Sequence, residues 1–271
     1  MIHGDGLSWG WRRFVRPFYR VSFLLREALA RRVEIRDRDH RYRFRCSTFR
    51  EMKRAMGLFS KEPGTGAWIA DNVQPGQVFF DVGANTGQYG RLLRRLGYER
   101  DIVSFEPLKD AHARLRDTAS DDDRWHVAEP MALGAEAGSV AMEVAGNVYS
   151  SSLLKMAPLH VEAAPASRVV RQEEVRVARL DDVAPTWLSG DDRRSFLKID
   201  VQGYEQHVLD GASGVLDQLL GLQLELSLDV LYEGQANWLD LIHHVGSHGF
   251  VCVGIEPGFT HPVSGKLLQM D

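Results

Sequence analysis

The sequence predicts an α/β fold: a doubly wound, mostly parallel sheet with an N-terminal helix and β-hairpin appended. Two observations carry the sheet. Strand-like and helix-like patterns alternate from residue 77 onward, the order that builds a parallel sheet through helical crossovers. An apolar run at 78–82 also leads directly into a glycine-rich turn that opens a helix. A third observation divides the chain. Residues 1–54 hold 15 Lys/Arg and 6 Asp/Glu, whereas the remainder holds 18 and 31. A head of formal charge +9 therefore precedes a body of −13. The 271 residues are enough for one full domain with an appendage, read here as an accessory region at 1–57 and a main domain at 58–271.

In chain order, residues 8–32 place Trp11, Phe14, Phe18, Val21, Leu24, Leu25 and Leu29 on one side of a helical pattern. Arg12, Arg13, Arg16, Arg20 and Arg26 lie among them, and Pro17 kinks or divides the helix. Such a helix packs on the fold or on a second subunit, so a homodimer is one expectation. Contact with a membrane surface is confined to the same segment. The arginines belong to no recognised binding motif, and no nucleic-acid partner is expected. Residues 33–46 alternate around Asp37-Arg38-Asp39-His40 as a hairpin does, and 51–57 reads as helix. Strands are expected at 77–82, 101–105, 125–127, 139–144, 174–178, 195–200, 222–228 and 250–255. Helices are expected at 87–97, 108–118, 203–220 and 237–248.

Composition excludes several classes. At 44% hydrophobic and 26% charged the chain is neither disordered nor collagen-like. No apolar run approaches the ~20 residues of a membrane span. Cys46 and Cys252 stand far apart with no ligand cluster around them, and the first residues lack the basic-then-apolar order of a signal peptide. A cytoplasmic protein with reduced thiols is the expectation.

The chemistry concentrates in Val78-Phe79-Phe80-Asp81-Val82-Gly83-Ala84-Asn85-Thr86-Gly87-Gln88-Tyr89-Gly90. The spacing is G-x-x-x-G-x-x-G, not the G-x-G-x-x-G of dinucleotide enzymes. A pyrophosphate seeks bare amides at a helix N-terminus, whereas Asp81 at the strand end repels phosphate and suits an ammonium group. The next strand ends in Glu106-Pro107, the position that takes ribose hydroxyls in doubly wound nucleotide folds. Together they describe an adenosyl ligand with an amino group and no phosphate at its other end. S-adenosylmethionine fits that description.

These segments, with Ala132-Leu133-Gly134, Leu180-Asp181-Asp182, Lys198-Ile199-Asp200-Val201-Gln202-Gly203-Tyr204-Glu205 and Val208-Leu209-Asp210-Gly211-Ala212, resemble the FkbM-type S-adenosylmethionine-dependent methyltransferases. The resemblance runs from about residue 60 to the end and includes Lys61-Glu62-Pro63-Gly64-Thr65, Leu231-Tyr232-Glu233-Gly234-Gln235 and the tail Gly265–Asp271. Gln202 departs from it, standing where Glu is common. The resemblance implies a Rossmann-like class I methyltransferase fold and transfer to a hydroxyl of a sugar, oligosaccharide or glycosylated small molecule. Carried over by position, Asp81, Gly83, Asn85 and Gly87 hold the methionine part, Glu106 the ribose, and the segment near Met131 and Ala132 the adenine. Glu62, Thr65, Ala84, Gln88 and Pro107 are further cofactor-binding candidates.

A sugar hydroxyl is a poor nucleophile at neutral pH, so a base or a metal ion must assist it. Asp200, ending the strand Ser195–Ile199, is the first candidate base, and its other reading is a cap or a hydrogen-bond anchor for the following helix. Glu225 falls at a comparable tip, and the two could together bind Mg²⁺. Lys198, within an apolar strand, needs a carboxylate partner such as Asp200 or Glu225. His261, in the loop Gly258-Phe259-Thr260-His261-Pro262, is the second candidate base. The loop Gly146-Asn147-Val148-Tyr149-Ser150-Ser151-Ser152 offers hydroxyls and an aromatic ring to a sugar or a sulfonium, or is a plain polar turn. Two other readings stand beside methyl transfer: a nicotinamide-dependent oxidoreductase, disfavoured by the glycine spacing and by the lack of a Tyr-x-x-x-Lys pair, and a non-catalytic membrane-peripheral module.

Overall fold

The computed structural model describes residues 20–24, 31–37, 40–46, 78–188 and 195–271. The chain divides into two compact units, Met1–Gly64 and Thr65–Asp271. In the first, β1 (Arg20–Leu24), β2 (Arg31–Asp37) and β3 (His40–Cys46) form an antiparallel sheet in that order. β2 and β3 are the expected hairpin, with Asp37 opposite His40 at its closed end. β1 overturns the helical expectation for residues 20–24. Val21 and Phe23 stand opposite Ile35 and Val33, so their spacing of two serves a strand face, a pattern that also fits part of a helical stripe. The rest of the expected helix (8–19 and 25–30), the helix at 51–57, Glu62 and Thr65 lie outside the described residues.

The second unit begins with β4 (Val78–Val82), α1 (Gln88–Arg95), β5 (Asp101–Phe105), α2 (Lys109–Ala119) and β6 (Trp125–Val127). A side sheet follows, built from β7 (Ala132–Leu133), β8 (Gly138–Ala145) and, after α3 (Pro158–Ala163), β9 (Val169–Ala178) in the order β7-β9-β8. The chain then passes through α4 (Leu180–Val183), β10 (Ser195–Ile199), α5 (Glu205–Asp210) and β11 (Leu219–Leu224). It ends with β12 (Leu226–Ser227), α6 (Trp238–Ser247) and β13 (Gln269–Met270).

The central sheet has the order β11-β10-β4-β5-β6, and every pairing in it is parallel. Its inner strands read Val-Phe-Phe-Asp-Val and Ser-Phe-Leu-Lys-Ile and are buried throughout, as strands covered on both faces must be. Alternation sends Phe79 and Phe196 to one face, against Leu93 of α1 and Leu115 of α2. Phe80, Val82, Leu197 and Ile199 go to the other, against Val208 and Leu209 of α5 and Leu241 of α6. The chain winds outward from β4 to β6, then returns to β10 on the opposite side of β4. Strand order therefore reverses between β4 and β10, where doubly wound sheets open a crevice at their carboxyl ends.

Three expectations are corrected in this unit. The helix expected at 203–220 is only Glu205–Asp210. It stops at Gly211, where an added Cβ would lie 2.0 Å from the carbonyl oxygen of Gly134, and Leu219–Leu222 pairs with β10 as strand. The strand expected at 222–228 breaks at Glu225 into β11 and β12. Residues 250–255 keep their alternation but form no ladder, with Val251 78% and Val253 62% exposed. Pairing resumes at Glu256, which exchanges backbone hydrogen bonds of 2.8 and 2.9 Å with Asp271. Among the described residues, no helix is long and apolar enough to cross a membrane.

Gly211→Ala is expected to destabilise the protein by about 1–3 kcal/mol through overpacking against backbone. An added Cβ at Gly246 in α6 meets nothing within 4 Å, and Gly246→Ala is expected to stabilise by about 0.5 kcal/mol. Urea denaturation of both variants checks the opposite signs.

Candidate active site

One polar rung crosses the central sheet. The register aligns Gln223 of β11 with Lys198 of β10, Lys198 with Asp81 of β4, and Asp81 with Ser104 of β5. Alternation puts this rung on the Phe79 face, beneath Tyr89 at the start of α1. The Tyr89 hydroxyl donates to Gln223 Oε1 at 2.5 Å, its ring centroid lies 5.0 Å from Lys198 Nζ, and Ser104 Oγ accepts from Trp125 Nε1 at 3.0 Å. Lys198 is 5% exposed. Burial opposes its charge, but Asp200 and Asp81 outweigh burial and hold its pKa above the usual lysine value. Nζ donates to Asp200 Oδ2 at 3.0 Å and stands 3.8 Å from Asp81 Oδ1. Asp81 is fully buried, and neither of its oxygens has a hydrogen-bond partner among the described residues. Burial pushes this carboxyl up against the pull of Lys198.

Two residues beyond the rung, three strand tips carry acids: Glu106 after β5, Asp200 after β10 and Glu225 after β11. The tips are stitched together by the ladder running on, with the N–H of Asp200 donating to the Val82 carbonyl at 3.1 Å and that of Glu225 to Ile199 at 3.0 Å. The turn after β4 supplies the close approach. Gly83 has φ +79°, and a Cβ there would lie 1.9 Å from the Asp200 carbonyl oxygen. Asn85 is also left-handed, at φ 49°. Its N–H donates to Glu106 Oε2 and that of Leu108 to Oε1, both at 2.9 Å. Burial pushes the Glu106 carboxyl up to about 7 against those two donors.

A cavity of about 480 Å³ opens over these tips. Asp81, Gly83, Ala84, Asn85, Gln88, Glu106 and Pro107 line one part, Met131 and Ala132 an adjoining wall, and Lys198, Asp200 and Glu225 the part beyond. A buried carboxylate with no hydrogen-bond donor asks for one, and Glu106 keeps lone pairs for hydroxyls. These groups fit the ammonium and diol of the adenosyl ligand described above. Gly87 does not line the cavity. Its left-handed φ of +85° turns the chain into α1, and its bare Cα packs against Leu115, Thr118 and Trp125.

Asp200 is no helix cap, since α5 is preceded by Tyr204 and has no side-chain cap. Its side chain is 33% exposed. Oδ1 accepts from Gln202 Nε2 at 3.0 Å, and the same nitrogen donates to Glu225 Oε2 at 2.5 Å. The Tyr232 hydroxyl points at Gln202 Oε1 (2.9 Å) and at the Ser150 carbonyl (3.1 Å). Burial, then the neighbouring Asp200, pushes Glu225 well above the carboxylate range. Tyr89, Gln202 and Tyr204 line the cavity and were given no role by sequence. Tyr89 lies inside the glycine-rich segment itself, so its place at the head of α1 was the available signal.

A model of the methyltransferase FkbM domain matches residues 81–252. The chain belongs to this family. It is 28% identical over 170 residues, 60% of this chain and 68% of the relative, to the 2-O-methyltransferase NoeI of Sinorhizobium fredii. The fold is also similar to the crystal structure of a putative RNA methyltransferase from Pyrococcus horikoshii, with TM-score 0.37 and 12% identity over 83% of this chain and 96% of that one.

Membership of a methyltransferase family favours methyl transfer over the nicotinamide-dependent oxidoreductase. Two site expectations also change. His261 does not reach the cavity. Its Nδ1 faces the N–H groups of Val263 and Ser264 at 3.2 and 3.3 Å, anchoring its own turn, and Nε2 lies 3.8 Å from Glu162. The Asp200–Glu225 pair does not fit Mg²⁺. Each carboxylate already accepts from the Gln202 amide, Asp200 is neutralised by Lys198, and no group of three His, Cys, Asp or Glu able to hold a metal occurs among the described residues.

The raised Glu106 carboxyl gives a pH signature. Below pH 4.5 it is protonated folded and unfolded, and its contribution to stability is complete. As pH rises from 4.5 to about 7 only the unfolded chain releases the proton, and stability is lost. Relative to Glu106→Gln, wild type is expected to lose about 3 kcal/mol across this window. Urea denaturation at stepped pH checks it, and a level difference overturns the assignment.

Proposed function

We propose that the chain transfers a methyl group from S-adenosylmethionine to a hydroxyl of a sugar, an oligosaccharide or a glycosylated small molecule. One observation carries the reading: a buried Asp81 whose oxygens lack hydrogen-bond donors and a Glu106 whose carboxyl is pushed up by burial share a cavity with Asp200, which is open to it. Family membership supports methyl transfer, and the name of the relative NoeI, a 2-O-methyltransferase, supports oxygen as the acceptor atom.

When bound, the sulfonium supplies a methyl group already activated for displacement. What remains for the protein is alignment and the fate of one proton. Asp81 takes the amino group and Glu106 the ribose diol, which fixes the donor along the ends of β4 and β5. Asp200 accepts the acceptor hydroxyl's proton. Lys198 and Gln202 hold one oxygen each, and a carboxylate oxygen has a second lone pair to offer. Glu225, pushed toward its protonated form, leaves Asp200 as the proton acceptor at these tips. Lys198 stays charged and positions Asp200.

Asp200→Asn is expected to lower turnover by about 10²–10⁴-fold with S-adenosylhomocysteine affinity within about twofold of wild type. Turnover follows from labelled methyl transfer to a panel of mono- and oligosaccharides, and affinity from calorimetry. Near-normal turnover overturns the role of Asp200. Methylation confined to acceptors without a sugar overturns the acceptor class. Activity is expected to survive exhaustive EDTA treatment, and its loss overturns the metal-free reading.

A further inference from the structure

The loop joining β8 to the rest of the side sheet is built more firmly than a surface turn requires. Val148 has φ 65°, a conformation hostile to a β-branched residue. The surroundings hold it there. Asn147 Oδ1 accepts from the Ser150 N–H at 3.1 Å, and Asn147 Nδ2 donates to Ser150 Oγ at 3.0 Å. Ser151 Oγ donates to the Val148 carbonyl at 2.8 Å and accepts from the Ala145 N–H at 3.0 Å. Ser152 Oγ donates at 2.7 Å to the carbonyl of Gln202, the residue whose amide holds Asp200.

This framework sets Tyr149 on the cavity wall with 64% of its surface exposed. Among the described residues its ring stacks on no other and its hydroxyl has no partner. A large aromatic side chain left bare at the edge of a reaction cavity, on a strained loop tied to the proton-accepting segment, is arranged for a ligand to cover.

We propose that Tyr149 is the platform of the acceptor subsite and takes the apolar face of a pyranose ring. This rests on the methyl-transfer reading and adds to it the residue that selects a saccharide. One face of a pyranose presents C–H groups, slightly positive, to the electron-rich face of an aromatic ring, and its hydroxyls project from the rim. A ring lying on Tyr149 therefore turns a rim hydroxyl inward toward Asp200.

The test uses the full chain and three variants, Tyr149→Ala, Tyr149→Leu and Tyr149→Phe, with labelled methyl transfer to saccharides. It adds saturation-transfer NMR of the same saccharides on protein saturated with S-adenosylhomocysteine. Removing the ring is expected to raise KM about tenfold, with kcat and S-adenosylhomocysteine affinity little changed. Tyr149→Phe is expected to stay within about twofold, because the ring face does the binding. Leucine retains apolar area without the π-face, so its failure to rescue separates stacking from simple burial. An unchanged KM in Tyr149→Ala with wild-type turnover overturns the platform and leaves the methyl-transfer reading standing. Saccharide binding that depends on Tyr149 without any methylation keeps the platform and overturns that reading. Preference of the wild type for simple phenols over saccharides overturns the assigned occupant.

Discussion

The ammonium group of Lys198, buried in the middle of the parallel sheet, is the charge around which the site is organised. An isolated ion in such surroundings is prohibitive, and removing one partner of a buried pair costs several kcal/mol. The sheet answers through register. Asp81 stands directly opposite on β4, Asp200 lies two residues on along β10, and Tyr89 presents its ring face from α1. Lys198 pairs with the charge of Asp81 across 3.8 Å, but at that distance both carboxylate oxygens are left without a hydrogen-bond donor. The same ammonium thus hydrogen-bonds Asp200 and leaves the hydrogen-bonding capacity of Asp81 unused.

That arrangement depends on two glycines for reasons internal to the protein. Gly83 lets the Asp200 carbonyl pass where a Cβ would sit, and Gly87 lets α1 close on Trp125 and Leu115. A glycine-rich turn is usually read as making room for a ligand. Here its first contribution is to bring the ends of β4 and β10 within contact, so that the crevice forms at all.

The parts of this design that were legible in the sequence are those that local chemistry dictates. Strands covered on both faces must be nearly all apolar, so a lysine or an aspartate within Ser195–Ile199 or Val78–Val82 stands out and implies a partner. Acids immediately after such strands stand out in the same way. The parts that were not legible depend on distant residues. Leu219–Leu222 reads as well at the end of a helix as in a strand, and pairing with β10 decides it. Val251, Val253 and Ile255 alternate as a strand should, but a strand needs a neighbour to form a ladder. His261 resembled a base because loop histidines at strand ends do, and only its turn hydrogen bonds reveal an anchor. Gln202 was visible as a departure from the family pattern, but its partners Tyr232 and Glu225 lie 30 and 23 residues away.

Gln202 bridges the two neighbouring acids that Lys198 only partly offsets. An amide has an acceptor end and a donor end, and a carbonyl oxygen facing Asp200 and Glu225 would add a third lone-pair group to the cluster. The nitrogen must therefore face the acids, which leaves Oε1 for the Tyr232 hydroxyl. The residue adopts φ 58° to do this, a strained value that Gly203, packed against the Tyr232 ring, and Glu205, accepting from the N–H groups of Val201 and Gly203, hold in place. The Gln202 carbonyl receives Ser152 and the Tyr232 hydroxyl reaches Ser150. The Asp200 segment and the Tyr149 loop are thereby joined through one residue, and a shift of either displaces the hydrogen bonds of the other. A substitution at Gln202 thus acts on the orientation of Asp200 and on the loop that carries Tyr149 together.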